Sequence, residues 1–175
     1  MFDFCSFMDR KNPLAAVRAF REAFKGGEKA RLVVKHINSG LYPDDHEAMR
    51  RELEGLNVTV IDRHMRRDEV LSLVASCCCC VSLHRTEGFG LPLAEAMALG
   101  KPVIATDYSG NTDFMDSGNS FPVRYELIEL TRDFAPYVKG GLWAEPDVRH
   151  ASGLIRQVFE DRERPSPSAG KLWNT

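Results

Sequence analysis

The chain has 175 residues, with 23 basic side chains against 25 acidic ones and five cysteines. That length suits a single domain with one substantial core, and a formal net charge of −2 excludes the strong field expected of a nucleic-acid or anionic-membrane binder. Met1-Phe2-Asp3-Phe4 has neither the basic nor the apolar region of a signal peptide, and no uninterrupted apolar stretch is long enough to span a bilayer.

In chain order, Phe2 to Phe7 reads as a first strand, interrupted by Asp3. Asn12-Pro13 is a helix-start signal, with Asn12 as N-cap and Pro13 in the first turn. Apolar residues then recur at helical spacing from Leu14 to Phe24, and Gly26-Gly27 ends that helix. Arg31 to Ile37 is the second strand. Asp44 or Asp45 caps a helix that runs to about Glu54, and Asn57 to Ile61 is the third strand. Asp68 opens a helix over Val70, Leu71, Leu73 and Val74. Cys77 to Leu83 reads as a buried fourth strand, Pro102 to Ala105 as a fifth and Asn119 to Val123 as a short sixth. Residues 125–139 mix apolar and charged side chains and are broken by Pro136. A last helix begins at Glu145 to Asp147 and runs to about Glu160. The alternation predicts an α/β fold: a Rossmann-like, mostly parallel sheet with helices on both faces. It spans residues 1–160, and residues 161–175 are predicted to be a flexible tail rich in Pro and Ser.

Four of the cysteines are consecutive, at positions 77 to 80. Neighbours on a strand point to opposite faces, so they build neither a disulfide framework nor a single metal site. They read as small apolar residues of a buried strand, and reduced thiols fit a cytoplasmic location.

The chemistry concentrates in Thr86-Glu87-Gly88-Phe89-Gly90-Leu91-Pro92-Leu93-Ala94-Glu95-Ala96-Met97-Ala98. The order is strand, flexible turn, helix N-terminus. Backbone N–H groups at such an end lack intrahelical partners, and the helix dipole adds positive charge, so the end suits a phosphate. Glu87 and Glu95 bracket it. Carboxylates repel phosphate but accept hydrogen bonds from sugar hydroxyls, so a nucleotide-sugar fits the pattern: sugar, diphosphate, ribose. A helix N-terminus that carries two acids for no ligand fits it as well. Near the start of the chain, Arg10 and Lys11 precede another helix N-terminus. They read either as a diphosphate clamp or as a solvated basic turn.

Residues 82–106, with the Gly-Phe-Gly-Leu-Pro core, two glutamates separated by seven residues and the following Gly-Lys-Pro-Val-Ile-Ala, resemble the donor-site signature of retaining GT-B glycosyltransferases of the group 1, or family 4, type. The resemblance covers roughly Phe2 to Glu160. It implies the C-terminal, donor-binding half of a two-domain enzyme that transfers a hexosyl group from a nucleotide-sugar to an acceptor hydroxyl with retention. The N-terminal acceptor domain is then absent, and the isolated chain is expected to be inactive. The resemblance places Glu87 by the sugar and Glu95 by the ribose. It places Lys11 and Arg10, with the N–H groups of Gly88, Phe89, Gly90 and Leu91, on the diphosphate. Ser6 stands where the family carries an arginine, a departure that leaves either Arg10 to compensate or the diphosphate to be held with one cation fewer. Lys35 and Asn38 match a subset of the family, as does the loop Tyr108 to Met115, in which the role of Asp113 is open. The charged turn Asp62 to Arg67 is placed near the nucleobase, and His84 reads as a structural hydrogen-bonding residue. The implied partner is a nucleotide-sugar donor, with no metal, no cofactor and no nucleic acid. Membrane association would be peripheral and only through the missing domain, and the exposed mouth of the half-cleft invites a weak homodimer.

Three other readings compete with this one. A dinucleotide oxidoreductase needs Gly-x-Gly-x-x-Gly after its first strand, and Cys5 to Pro13 contain no glycine. A GT-B sugar epimerase or phosphorylase fragment would be separated from a transferase by its product. A non-catalytic nucleotide-binding module would bind donor without turning it over.

Overall fold

The computed structural model describes residues 1–26, 28–134 and 137–161. Six helices and seven strands alternate along them: α1 (Met8–Lys11), α2 (Pro13–Ala23), β1 (Leu32–His36), α3 (Pro43–Leu53), β2 (Val58–Asp62), α4 (Arg67–Ser76), β3 (Cys80–Ser82), α5 (Leu91–Ala98), β4 (Val103–Thr106), β5 (Phe121–Val123), β6 (Tyr125–Glu129), β7 (Leu142–Pro146) and α6 (Val148–Glu160). The fold is Rossmann-like α/β, as the alternation predicts.

Strand β4 is central to a parallel sheet, with β3 on one side (Val81 opposite Ile104) and β5 on the other (Ala105 opposite Pro122). All four of its residues are buried, which is why it reads as an uninterrupted apolar run. Its alternation supplies two cores. Ile104 joins Leu83 and Val123 under Ala15 and Ala19 of α2 and Ala151 and Ile155 of α6. Val103 and Ala105 face Val74 of α4 and Leu93, Ala96 and Met97 of α5. Helices therefore cover both faces.

A second parallel pair, β1 with β2, is in register with Val34 opposite Val60. Val34 packs with Phe4, Met8, Val17, Met49 and Leu53. Among the described residues the two parallel sheets share no strand pairing. Between them lies a cavity of about 500 Å³ lined by, among others, Phe2, Val33, Leu73, Cys79 and Val81.

Several local expectations are corrected. Phe2 to Phe7 is no strand. The N–H groups of Phe2 and Phe4 donate to the carbonyls of Lys35 and Ile37 beside β1, but Phe4–Ser6 then closes into a 3-10 turn because Asp3 accepts from Cys5 N at 2.9 Å. This is the side-chain competition with regular backbone pairing that favours Asp in turns. Asn12 makes no side-chain cap. It takes a left-handed conformation, φ 47°, at the junction of α1 and α2. Tyr42, not Asp44 or Asp45, precedes α3, and both acids fall in its first turn. Of the four consecutive cysteines only Cys80 is in a strand. Cys77 ends α4 and Cys78 is exposed, so the run is a helix end and turn, and all five cysteines are free thiols.

Two elements near the C-terminus were missed. Tyr125–Glu129 and Leu142–Pro146 form an antiparallel hairpin, with Leu127 opposite Ala144. Trp143 is buried against the rings of Phe134 and Tyr137, at 4.9 and 5.4 Å. Glu145 and Pro146 therefore belong to β7 rather than to the last helix. Asp147 caps that helix by accepting from His150 N at 2.8 Å. The break expected at Pro136 and the tail after Asp161 lie outside the described residues. Among those residues no helix is long and apolar enough to cross a membrane.

Candidate functional site

The loop from β3 to α5 ends on Gly90, whose φ of 90° is the left-handed conformation that glycine adopts without strain. Leu91 and Pro92 open the helix, and Leu93 and Ala94 donate to Gly90 O at 2.8 and 3.0 Å. The N–H groups of Phe89 and Gly90 donate to no acceptor among the described residues. Phe89 and Leu91 are exposed. The mouth is thus an open helix N-terminus with free donors and positive dipole, as the phosphate reading requires.

Opposite it stand the cations. Arg10 and Lys11 form the last turn of α1. Lys11 Nζ donates to Glu87 Oε2, and Arg10 Nη1 lies 3.7 Å from Glu87 Oε1. Arg10 also donates through Nε to Ser6 O at 3.2 Å and through Nη1 to Thr86 O at 3.3 Å. Ser6 therefore enters the site through its carbonyl, as the support that aims Arg10. Arg85 fixes the frame behind it: its N–H donates to Arg10 O at 2.9 Å and its guanidinium to Asp9 O and to Glu145 Oε2.

Glu87 is mostly buried, with 13% of its side chain exposed. Burial pushes its carboxyl up, but the hydrogen bond and charge of Lys11, then the charge of Arg10, outweigh burial and hold it below the usual range. The carboxylate is ionised at neutral pH, and the three side chains together carry one net positive charge.

The loop after β4 locks Glu87 in place. Ser109 Oγ lies 2.6 Å from both Glu87 N and Glu87 O, and Gly110 N donates to Glu87 O at 3.0 Å. Ser109 holds φ 72°, in the left-handed half of the map. Beneath it, buried His84 places Nε2 2.9 Å from Asn111 Oδ1 and 3.2 Å from Tyr108 O, with Nδ1 3.1 Å from Ser82 Oγ. Both partners of Nε2 are acceptors, so Nε2 carries the proton and Nδ1 accepts from Ser82. Burial lowers the pKa of His84 and keeps it neutral. The structural role expected of His84 is what these contacts give it. Ser109, Gly110 and Asn111 were visible as a polar loop that resembles a family subset, but nothing in their spacing announced a clamp.

The match to the family model "Glycosyl transferases group 1" runs over residues 6–167. The chain belongs to the group 1 glycosyl transferases. No curated protein matches it in sequence. Among solved structures, HepE from Anabaena, crystallised with UDP and glucose, is 18% identical with a TM-score of 0.58 over 92% of this chain. A glycosyltransferase from Rickettsia africae is 16% identical with a TM-score of 0.65 over 91%. Sucrose-phosphate synthase from Thermosynechococcus elongatus is 18% identical with a TM-score of 0.63 over 93%. At these identities the likeness is one of fold, that of GT-B glycosyltransferases. The chain spans 38%, 38% and 36% of those three proteins.

The glycosyl transferase signature thus brings Lys11, Arg10, Ser6, Glu87 and the Gly88 to Leu91 turn together around one mouth. Glu95 is paired instead with Arg67, the first residue of α4, at 3.1 Å. Asn38 donates to Asp3 at 2.8 Å and is engaged there. Asp113 is exposed in the 3-10 turn Gly110–Asp113. The Arg67–Glu95 pair is largely solvated on its arginine side, with 81% of Arg67 exposed. Arg67→Ala is expected to change folding stability by less than about 0.5 kcal/mol in a urea melt, a loss above about 1 kcal/mol contradicting this picture of a loose surface pair.

Proposed function

We propose that the chain is the donor-binding domain of a retaining GT-B glycosyltransferase of family 4. It holds a nucleoside diphosphate-hexose while an acceptor domain outside this chain presents a hydroxyl. The observation that carries the reading is the meeting of Arg10, Lys11 and Glu87 at the open N-terminus of α5, where Phe89 and Gly90 present unpaired N–H groups. HepE was crystallised with UDP and glucose and with UDP-glucose, which agrees with that donor class.

In this reading the free site neutralises itself. Lys11 and Arg10 rest on Glu87 until the diphosphate arrives and takes them. That exchange frees the Glu87 carboxylate to accept from sugar hydroxyls. It also leaves two cations and the α5 dipole to stabilise charge on the departing diphosphate. No metal is needed for that neutralisation. Glu95 receives the ribose hydroxyls by releasing Arg67, which its solvent exposure makes cheap. Transfer also requires the second wall of the cleft, which positions the acceptor and excludes water, so this chain alone is expected to bind donor and transfer nothing.

Calorimetry with UDP and UDP-glucose tests the assignment of the two glutamates. Glu95→Gln is expected to weaken both ligands by roughly tenfold or more, since a hydrogen bond to a charged group is worth about 1.5–3 kcal/mol. Glu87→Gln is expected to weaken only UDP-glucose and to leave UDP binding equal or tighter, because Lys11 is released. Equal losses for both ligands at Glu87 would remove it from the sugar.

A further inference from the structure

Outside the donor mouth, three side chains from three elements converge: His36 at the end of β1, His46 in the first half of α3 and Asp62 at the end of β2. One ligand-capable atom from each lies within 4.8 Å of the other two. We propose that His36, His46 and Asp62 bind a divalent transition-metal ion, zinc by the character of the ligands.

The cluster does not rest on proximity alone. His36 is fully buried, and its ring Nε2 has no hydrogen-bond partner. Buried polar atoms are ordinarily satisfied, and each exception asks for a reason. Its Nδ1 makes an ion-pair contact of 3.1 Å with Asp62 Oδ1, while its Nε2 is left with no partner. Zinc bonds of about 2.0–2.2 Å to imidazole and carboxylate place neighbouring ligands of a tetrahedral site about 3.3 Å apart. The 3.1 Å between Nδ1 and Oδ1 is close to the spacing that two ligands of a common centre take. The longest separation in the cluster closes by at most about 1.5 Å to reach the same geometry. His46 is half-buried and Asp62 is exposed at the end of its strand, so both have room to move.

The surroundings suit an ion. Ser39 Oγ donates to Asp62 Oδ2, which orients the carboxylate and leaves Oδ1 for the metal, the usual outer support of a ligating group. The Phe4 ring meets His36 edge-on at 5.1 Å and His46 at 6.0 Å, so one wall is apolar and strengthens the charge attraction inside. Two imidazoles and one carboxylate favour zinc, cobalt or nickel over magnesium or calcium, which prefer oxygen. A fourth position remains for water. The ion pins α3 to the ends of β1 and β2.

The test titrates the metal-stripped 175-residue chain with Zn²⁺ by calorimetry and with Co²⁺ by visible spectroscopy, and follows thermal unfolding with and without Zn²⁺. One equivalent is expected to bind, with a cobalt spectrum free of thiolate charge-transfer bands and a melting temperature that rises with Zn²⁺. Mg²⁺ is expected not to compete. His46→Ala and Asp62→Asn, both at positions with solvent access, are each expected to weaken Zn²⁺ at least about tenfold and to abolish the thermal shift. Cys5→Ser with Cys78→Ser, at the two exposed thiols, is expected to leave binding intact. Absence of stoichiometric binding, thiolate bands, or a thermal shift that survives His46→Ala would each overturn the proposal.

Discussion

Gly110→Ala is expected to be the most disruptive single-methyl change near the site. A Cβ at Gly110 would stand 1.9 Å from Gly88 O and 2.6 Å from Gly88 C. Both are backbone atoms, so no side chain can turn aside. Either the loop after β4 or the Glu87–Gly88 turn must retreat. With it go the hydrogen bond from Gly110 N to Glu87 O and the seat of Ser109 Oγ on both backbone groups of Glu87. Overpacking alone costs about 1–3 kcal/mol, and each lost hydrogen bond adds about 1 kcal/mol. A loss of about 2–5 kcal/mol is expected, which lowers the melting temperature by roughly 5–15 °C for a domain of this size. Gly88→Ala is the control, because a Cβ there meets nothing within 4 Å. Its stability is expected to stay within about 0.5 kcal/mol of the parent. A Gly110→Ala chain that melts like the parent would mean that the two loops are not in contact.

That contact also marks where the sequence stopped being readable. The strand–turn–helix order around β3, β4 and α5 was legible because it depends on local signals: an apolar run, two glycines, then Pro92 and helix formers. The pairing of Lys11 with Glu87 was approached from both ends, as cations before one helix and an acid before another. Its direct ion contact required the two loops to meet in space. The clamp was not legible, since nothing local distinguishes Ser109-Gly110 from any polar turn. The strand expected over Phe2 to Phe7 failed for a related reason. Phe4 does go fully inward, but Phe7 is exposed, and Asp3 turns the backbone after the two ladder-like bonds from Phe2 N and Phe4 N. The sheet consequently divides between β1 and β3. The hairpin of β6 and β7 was hidden by charge: Glu126 and Glu129 line an exposed strand that a core-seeking pattern does not detect. The histidine–aspartate cluster joins positions 36, 46 and 62, a spacing that only the packing of α3 over β1 and β2 turns into a site.

Lys11→Ala is expected to weaken nucleoside diphosphate binding strongly. Lys11 is the closest cation to Glu87 and sits at the mouth with Arg10, whose guanidinium is already engaged by Ser6 O and Thr86 O. Ser6 supplies no positive charge of its own. Removal of one charged contact worth about 1.5–3 kcal/mol corresponds to a loss of roughly 10- to 150-fold in affinity for a nucleoside diphosphate, with a smaller loss for the monophosphate. The loss is expected to shrink at high salt, where screening already weakens the contact. The same variant has a signature in stability against pH. In the parent, the folded Glu87 carboxyl lies below its usual value of 4.5, so its ionisation contributes stability that is present above that value and is lost as pH falls through the depressed one. Without Lys11, burial is the largest influence left and moves the carboxyl upward. The stability gap between parent and variant should therefore be widest near neutral pH and close in acid. Urea melts from pH 3 to 7, paired with calorimetry on UDP and UMP, measure both effects. A variant that binds UDP like the parent would leave the helix N-terminus as the sole holder of the phosphates, and a gap that does not change with pH would mean that Lys11 does not set the charge state of Glu87.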